Sequence, residues 1–322
     1  MSTRRTVLTG LSGGLIASSL LARPARADPV VLRAGDQKGG AQALMKAAGA
    51  LGGLPYRLEW SQFSAAAPLL EALNADAIDF GFAGDAPTTF ALAAGVPARI
   101  VAPTRSSGAS TAIMVPEASP IRSVAELRGR VIATNRGSIG HSLVLAVAEA
   151  QGWAASDIKL ANLLPSEAKA ALATKAVDAW CSWGVYVAQA RLADGARIVV
   201  DGSGGLLTGL SYMVARDGAI ARKRAALLDF TARLAGARRW AATHRDAYAA
   251  VLANEIGVAP AVARLIFERE TPLPVPIDAL VIRDQQKTAD RYLAAGVIRT
   301  RLEAGALFDA SFNAAVGGAP GG

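Results

Sequence analysis

Three short stretches of this chain could hold an anion without a charged side chain. Gly84-Asp85-Ala86-Pro87-Thr88-Thr89 lies between a strand-like run at 78–83 and a helix-like run at 90–94. Asp36-Gln37-Lys38-Gly39-Gly40 follows an apolar run at 30–34 and opens a helix at Ala41. Asn135-Arg136-Gly137-Ser138 follows the run 131–134 and opens a helix near Gly140. A glycine-containing turn from strand to helix exposes unpaired backbone N–H groups at the positive end of the helix dipole. That is a general anion seat, and Pro87 suits the first helical turn, where its missing N–H costs nothing. A single such turn is also an ordinary strand-to-helix connection. The shared grammar of three marks Gln37, Gly39, Gly84, Asp85, Ala86, Asn135, Gly137 and Ser138 as candidate ligand-binding residues around one small anion.

Other side chains carry two readings each. Gln37 either bonds a ligand or sits in a solvated loop. Asp85 is either the N-cap of the following helix or a partner for an amine carried by the ligand. Trp180 and Trp183, three apart beyond a strand, either pack in the core or form a wall for an apolar tail. Arg105 is either a surface arginine or a bidentate clamp for an acidic group. His141, His244 and Cys181 read most simply as capping, surface and buried residues. The chain shows no Ser/His/Asp grouping and no cluster at metal-ligand spacing, so no catalytic residue, metal or cofactor is expected.

The elements that must position these residues follow a regular plan. Residues 1–27 read as an export signal, with Arg4 and Arg5 in a short basic n-region, an apolar segment rich in Gly and Ser at 7–22, and the site Ala25-Arg26-Ala27. The arginine pair suggests the twin-arginine route, the general secretory route being the alternative. The apolar segment is too short and glycine-rich for a good membrane span, and no cysteine follows it to carry a lipid. Removing the signal takes away four arginines and no acid, so the net charge of +8 becomes +4 on 295 residues. With no dense Lys/Arg run, nucleic acid is not the expected partner. A chain this long can bury one large core or two, and Cys181, the sole cysteine, permits no intramolecular disulfide. A monomeric periplasmic protein is expected.

From residue 30 onward short apolar strands alternate with Ala/Leu-rich helices, the pattern of parallel βαβ units. The strand at 111–115 reads as a first crossing into a second domain, where Ser123 and Glu126 form a capping box. The strand at 211–215 reads as the return. This gives domain 1 as 28–114 and 213–316, domain 2 as 115–212, and a disordered Gly/Pro tail at 317–322. The C-terminal third is helical at 221–244, 245–256 and 277–295, broken by Pro272, Pro274 and Pro276.

These residues resemble the periplasmic substrate-binding components of ABC importers for aliphatic sulfonates, in the nitrate/sulfonate/taurine group. Asp36-Gln37-Lys38-Gly39-Gly40 matches where that family usually has Tyr-Gln-Lys-Gly. Leu69-Leu70-Glu71-Ala72-Leu73-Asn74, Asp79-Phe80-Gly81, Gly84-Asp85-Ala86-Pro87, Ser119-Pro120-Ile121, Leu127-Arg128-Gly129 and Asn135-Arg136-Gly137-Ser138 match as well. Asp178-Ala179-Trp180 and Trp183 resemble its Asp-Ala-Trp-x-x-Trp, but Gly184-Val185-Tyr186 replaces the usual Asp-Pro-Tyr.

The resemblance implies an α/β chain with the two-domain type II periplasmic-binding-protein fold: two parallel-rich sheets flanked by helices and joined by a two-segment hinge. It further implies that a sulfonate or related small anion is captured between the lobes and delivered to an ABC permease. Closure about the hinge would be the switch, and neutral donors are expected to hold the anion. The alternative is an enzyme on the same fold, since relatives of this group include sulfinate desulfinases that use a cysteine and pyrimidine-precursor synthases that use a histidine. Cys181 and His141 would then have to meet in the cleft. Nitrate and bicarbonate are further ligand candidates, against which the tryptophan pair argues.

Overall fold

The computed structural model describes residues 29–269 and 271–317. The export signal and the tail beyond Gly317 lie outside the described residues. Two mixed sheets organise the chain. The first contains β1 (Val31–Gln37), β2 (Arg57–Phe63), β3 (Phe80–Gly84) and β4 (Ala98–Arg105), and the second contains β5 (Thr111–Pro116), β6 (Val131–Thr134), β7 (Lys159–Asn162), β8 (Ala179–Trp183) and β9 (Ala196–Asp201). The chain then rejoins the first sheet with β10 (Leu210–Arg216) and a two-residue strand, β11 (Leu273–Pro274). The strand orders are β11-β4-β10-β3-β1-β2 and β7-β6-β8-β5-β9.

Helices α1 (Ala41–Ala47), α2 (Ala66–Asn74) and α3 (Asp85–Ala93) connect strands of the first sheet. Helices α4 (Ile139–Ala150), α5 (Pro165–Ala173) and α6 (Val185–Leu192) do so in the second. The C-terminal part supplies α7 (Asp217–Thr243), α8 (Arg245–Ile256), α9 (Pro260–Arg269), α10 (Ala279–Ala294) and α11 (Asn313–Gly317). Gly317, expected in the tail, thus ends a helix. Helix α9 and strand β11 were not expected, although Pro260 at a first helical turn is a start signal.

The βαβ units are parallel, as the alternation predicts: β1 with β2 and β3, and β6 with β7 and β8. The two strands that follow a crossing run the other way. β5 is antiparallel to β8 and β9, and β10 is antiparallel to β3 and β4. A strand that enters its sheet straight from the other sheet has no crossover helix to reverse it, so it arrives antiparallel. Both are buried along most of their length, as central strands are.

The first sheet stops at Arg105 and resumes at Leu210, so the chain passes between the sheets at 106–110 and 202–209. These crossings are displaced by a few residues from the boundaries 114/115 and 212/213, because an apolar strand looks the same on either side of a crossing. The glycines mark the place better. Gly209 has φ +68°, and a Cβ on it would lie 2.0 Å from Ser106 O, where Ser106 N donates to Gly209 O at 3.0 Å. Only glycine lets the two crossing segments approach so closely.

Candidate functional site

A cavity of about 460 Å³ opens between the two sheets. The first sheet contributes Asp36 and Gln37 from the end of β1, Phe82 and Gly84 from β3, and Ser211 from β10. The second contributes Asn135, Gly137, Ser138 and Trp183. Ser106, Gly108 and Ser110 of the first crossing, Gly209 of the second, and Arg238 of α7 complete the rim. The strand ends named from sequence therefore do converge on one space, which is where open α/β sheets bind ligands.

A second feature is a groove between α2 and α3. It is walled by Ala66, Ala67 and Leu70 on one side and by Pro87, Phe90, Ala91 and Ala94 on the other. From Ala66 to Asn74 it runs about 12 Å at 1.5 Å per residue. Its walls are mostly small and apolar, with Glu71 and Asn74 as its polar members.

The expected ligand residues do not all face this space. Gln37, Gly84, Asn135, Gly137, Ser138 and Trp183 line it. Gly39 faces an adjoining recess of about 190 Å³ with Lys38, Ser64 and Tyr186. Ala86 is fully buried and packs with Leu145, Tyr292, Val297 and Ile298. Trp180 is 1% exposed within the core of the second sheet, so of its two readings the packing one applies. Trp183 stands edge-on to Tyr186 with ring centroids 6.2 Å apart and reaches the cavity.

Asp85 is buried as the first residue of α3, and Gly84 holds the cap position. Its carboxylate accepts from Thr208 Oγ1 at 2.6 Å, Thr288 Oγ1 at 2.7 Å and Ala86 N at 2.7 Å. Burial raises its pKa against those three bonds. It serves the fold beneath the loop and does not face the cavity. Arg105 is also engaged: Nη1 lies 2.9 Å from Asp284 Oδ2 and donates to Thr208 O at 3.0 Å.

The donors counted as anion seats turn out to have partners within the protein. Asp36, 1% exposed, accepts from Ala41 N at 3.0 Å and Gln42 N at 2.8 Å, filling the start of α1 with the chain's own carboxylate. Burial pushes that carboxyl up to about 6, against the lowering effect of these amides. In the third loop, Gly137 N donates to His141 Nδ1 at 3.1 Å and Ser138 N to Asn135 O at 3.1 Å. Ser138 Oγ accepts from His141 N at 3.2 Å as the cap of α4. His141 is driven down to about 4 by burial and then by Arg136, so it is neutral near pH 7 and its Nδ1 can accept. Gly137 has φ +75°, and a Cβ there would meet Phe90 at 2.8 Å, so this turn admits glycine alone. Of the neutral side chains, Gln37 Nε2 donates to Phe82 O at 2.9 Å, which aims its amide across the end of β3.

Arg238 is a cavity-lining residue that the sequence did not single out. It sits inside a long helix, beside Arg239 and among many surface arginines, and nothing in its spacing sets it apart. Burial lowers its pKa, opposed by Tyr248 and Asp36 acting at a distance. Its Nε is buried without a hydrogen-bond partner.

Cys181 is 1% exposed, donates to Gly140 O at 3.2 Å, and has its thiol pushed far up by burial. It does not line the cavity. Such a thiol is not a nucleophile. Among the described residues no His/Cys/Asp/Glu group could hold a metal ion.

Contacts from C-terminal helices fasten the second-sheet loop. Tyr292 Oη donates to Ser138 O at 2.9 Å, and Arg136 Nη2 to Gly296 O at 3.3 Å. Across the mouth, Tyr186 Oη donates to Ser64 O at 3.0 Å. At the crossings, Arg269 Nη2 bonds both Ala109 O and Asp201 Oδ2 at 2.7 Å.

Comparison with known proteins places this geometry. The family model described as NMT1/THI5 like matches residues 62–225. An aliphatic sulfonates-binding protein of Escherichia coli K12 is 33% identical over 293 residues, covering 89% of this chain and 91% of the relative. The alkanesulfonate-binding protein SsuA of Xanthomonas axonopodis pv. citri, solved bound to MOPS, superposes with a TM-score of 0.82 at 32% identity, covering 88% of this chain and 99% of that one. The periplasmic aliphatic sulphonate binding protein SsuA of Escherichia coli gives 0.77 at 31%, covering 88% and 92%. The desulfurization enzyme DSZB shares the fold at 17% identity and a TM-score of 0.62, covering 88% and 97%. The chain belongs to the NMT1/THI5-like family and, within it, to the aliphatic sulfonate-binding proteins, and it has their two-sheet periplasmic-binding-protein fold.

Proposed function

We propose that this chain captures an organic sulfonate between its two sheets and delivers it to an ABC permease from the periplasm. One observation carries the reading: a polar cleft at converging strand ends continues into an apolar groove between α2 and α3, so the cavity suits an acidic head with a hydrocarbon tail. The family's sulfonate binders support the same ligand class. A cysteine-dependent enzymatic reading lacks its nucleophile, since Cys181 is buried away from the cavity. The head group lies among Gln37, Asn135, Ser138 and Trp183, and the tail lies along Ala66, Leu70, Phe90 and Ala91. The lobes, split at the two crossings, close on the ligand, and the protein acts as a monomer.

A series of linear alkanesulfonates tests this. Each buried methylene contributes about 0.8 kcal/mol, or roughly fourfold in affinity. Titration calorimetry on the mature protein should show that step repeating until the groove is full and then levelling. At 100 times its Kd a ligand stabilises the native state by about 2.7 kcal/mol, so melting temperature should rise in parallel. Nitrate raising it while no sulfonate does would overturn the assignment.

Export is proposed to follow the twin-arginine route, on the strength of Arg4 and Arg5 ahead of the apolar run. Replacing both by lysine should leave the protein in the cytoplasm, read by fractionation. Unchanged periplasmic yield would mean that the general secretory route carries it. Among the described residues no helix is long and apolar enough to cross a membrane.

A further inference from the structure

We propose that Arg238 is the cation that pairs with the acidic head of the bound ligand. The inference rests on the sulfonate reading above and adds how charge is met in the cleft.

Several backbone donors at the loops are already spent. The amides at the start of α1 bond Asp36, the Ala86 amide bonds Asp85, and those of Gly137 and Ser138 bond His141 and Asn135. These amides at the three helix starts are thus taken from within. Of the other nearby cations, Arg105 is paired with Asp284, whereas Arg136, exposed at the cavity edge, gives one bond to the Gly296 carbonyl at 3.3 Å and its charge is met by water.

Arg238 differs. It lines the cavity beside Phe82 and Ser211. Among the described residues no carboxylate lies within ion-pair distance of it, and its Nε is buried without a partner. Asp36 and Tyr248 act on it only at longer range. A guanidinium cannot shed its proton to escape such a place, so a half-buried cation with an unmet Nε donor and no carboxylate partner gains from an arriving anion. Its planar fork matches two oxygens of a sulfonate as it does those of a carboxylate or phosphate.

Asp36, the acid that acts on Arg238 at a distance, spends both oxygens on backbone amides at α1 and does not neutralise the arginine directly. The Asp36–Arg238 corner thus keeps a cation at the cleft whose charge the ligand can balance.

The test compares hexanesulfonate with the uncharged hexanesulfonamide by titration calorimetry at pH 7. Wild type should prefer the anion. R238Q should lose about ten- to a hundredfold in hexanesulfonate affinity while the sulfonamide moves little, so that the preference collapses. R238K should recover part of it, since lysine restores charge without the fork. The ligand-free melting temperature of R238Q should equal or exceed wild type, because an unpaired cation has been removed. Should R238Q fold poorly, R238K carries the comparison, with a partial loss expected for the anion alone. Wild-type binding of hexanesulfonate with R238Q within threefold of it would overturn the role of Arg238 and leave the sulfonate reading intact. A wild-type protein that binds neither compound would overturn the sulfonate reading itself.

Discussion

Asp79→Ala should destabilise the protein by about 3–5 kcal/mol, the cost of removing one partner from a buried ion pair, and should do so without touching the cavity. The Asp79 side chain is 1% exposed and sits just before β3. Oδ1 lies 2.8 Å from Arg33 Nη2, and Oδ2 lies 2.7 Å from Lys223 Nζ and accepts from Arg33 N at 2.8 Å. One carboxylate thus joins β1, β3 and α7. Burial alone would raise its pKa, but the bonds from Arg33 and Lys223 outweigh that and hold it below the usual carboxylate value. A carboxyl lowered on folding stabilises the native state above its unfolded pKa, about 3.9, and the gain is lost as pH falls through the lower folded value. The wild type should therefore lose more stability than Asp79→Ala on acidification below about pH 4, and the two melting temperatures should converge. Thermal unfolding across that range reads both effects, and parallel curves would show that Asp79 does not carry the linkage.

How much of this was legible in the sequence depends on the kind of signal. The strand ends were legible, because an apolar run, a glycine and a helix start are local patterns, and β1, β3 and β6 do end at the cavity. The crossings were placed a few residues off because Thr111–Pro116 looks equally apolar whichever sheet it joins. The use to which each turn is put was not legible. Asp36 and Asp85 lie at the very loops that looked like anion seats, and only the fold shows their oxygens taking the amides that a ligand would have used. Trp180 and Trp183 look alike in sequence, yet one is buried and one reaches the cleft, since residues three apart on β8 point to opposite faces of the sheet, which meet different surroundings. Arg238 and Arg239 are neighbours on one helix. A rotation of about 100° per residue decides which of them meets the cleft, and no pattern among so many arginines announces it.

Asp85→Ala should cost about 3 kcal/mol of stability, and Asp85→Asn distinctly less, which separates a structural carboxylate from a ligand-binding one. Thr208 comes from the second crossing and Thr288 from α10, and both hydroxyls donate to the same Asp85 oxygen. Alanine leaves two hydroxyls with no acceptor in an enclosed site, at about 1–3 kcal/mol for each group left unsatisfied, less whatever relaxation recovers. Asparagine keeps the shape and one acceptor oxygen, and the hydroxyls can turn to meet its amide. The consequence for function is indirect but definite. Asp85 ties α3 to α10, and α10 leads to Tyr292, whose hydroxyl holds the carbonyl of Ser138. The Gly84 loop of the first sheet and the Ser138 loop of the second thereby each bond to α10. In Asp85→Ala, alkanesulfonate affinity should fall by no more than about tenfold, a loss of geometry worth at most about 1.4 kcal/mol, while the unfolding midpoint in urea moves far more. The outcome that would restore Asp85 to the ligand is the reverse: an unfolding midpoint close to wild type together with a loss of binding confined to amino-sulfonates.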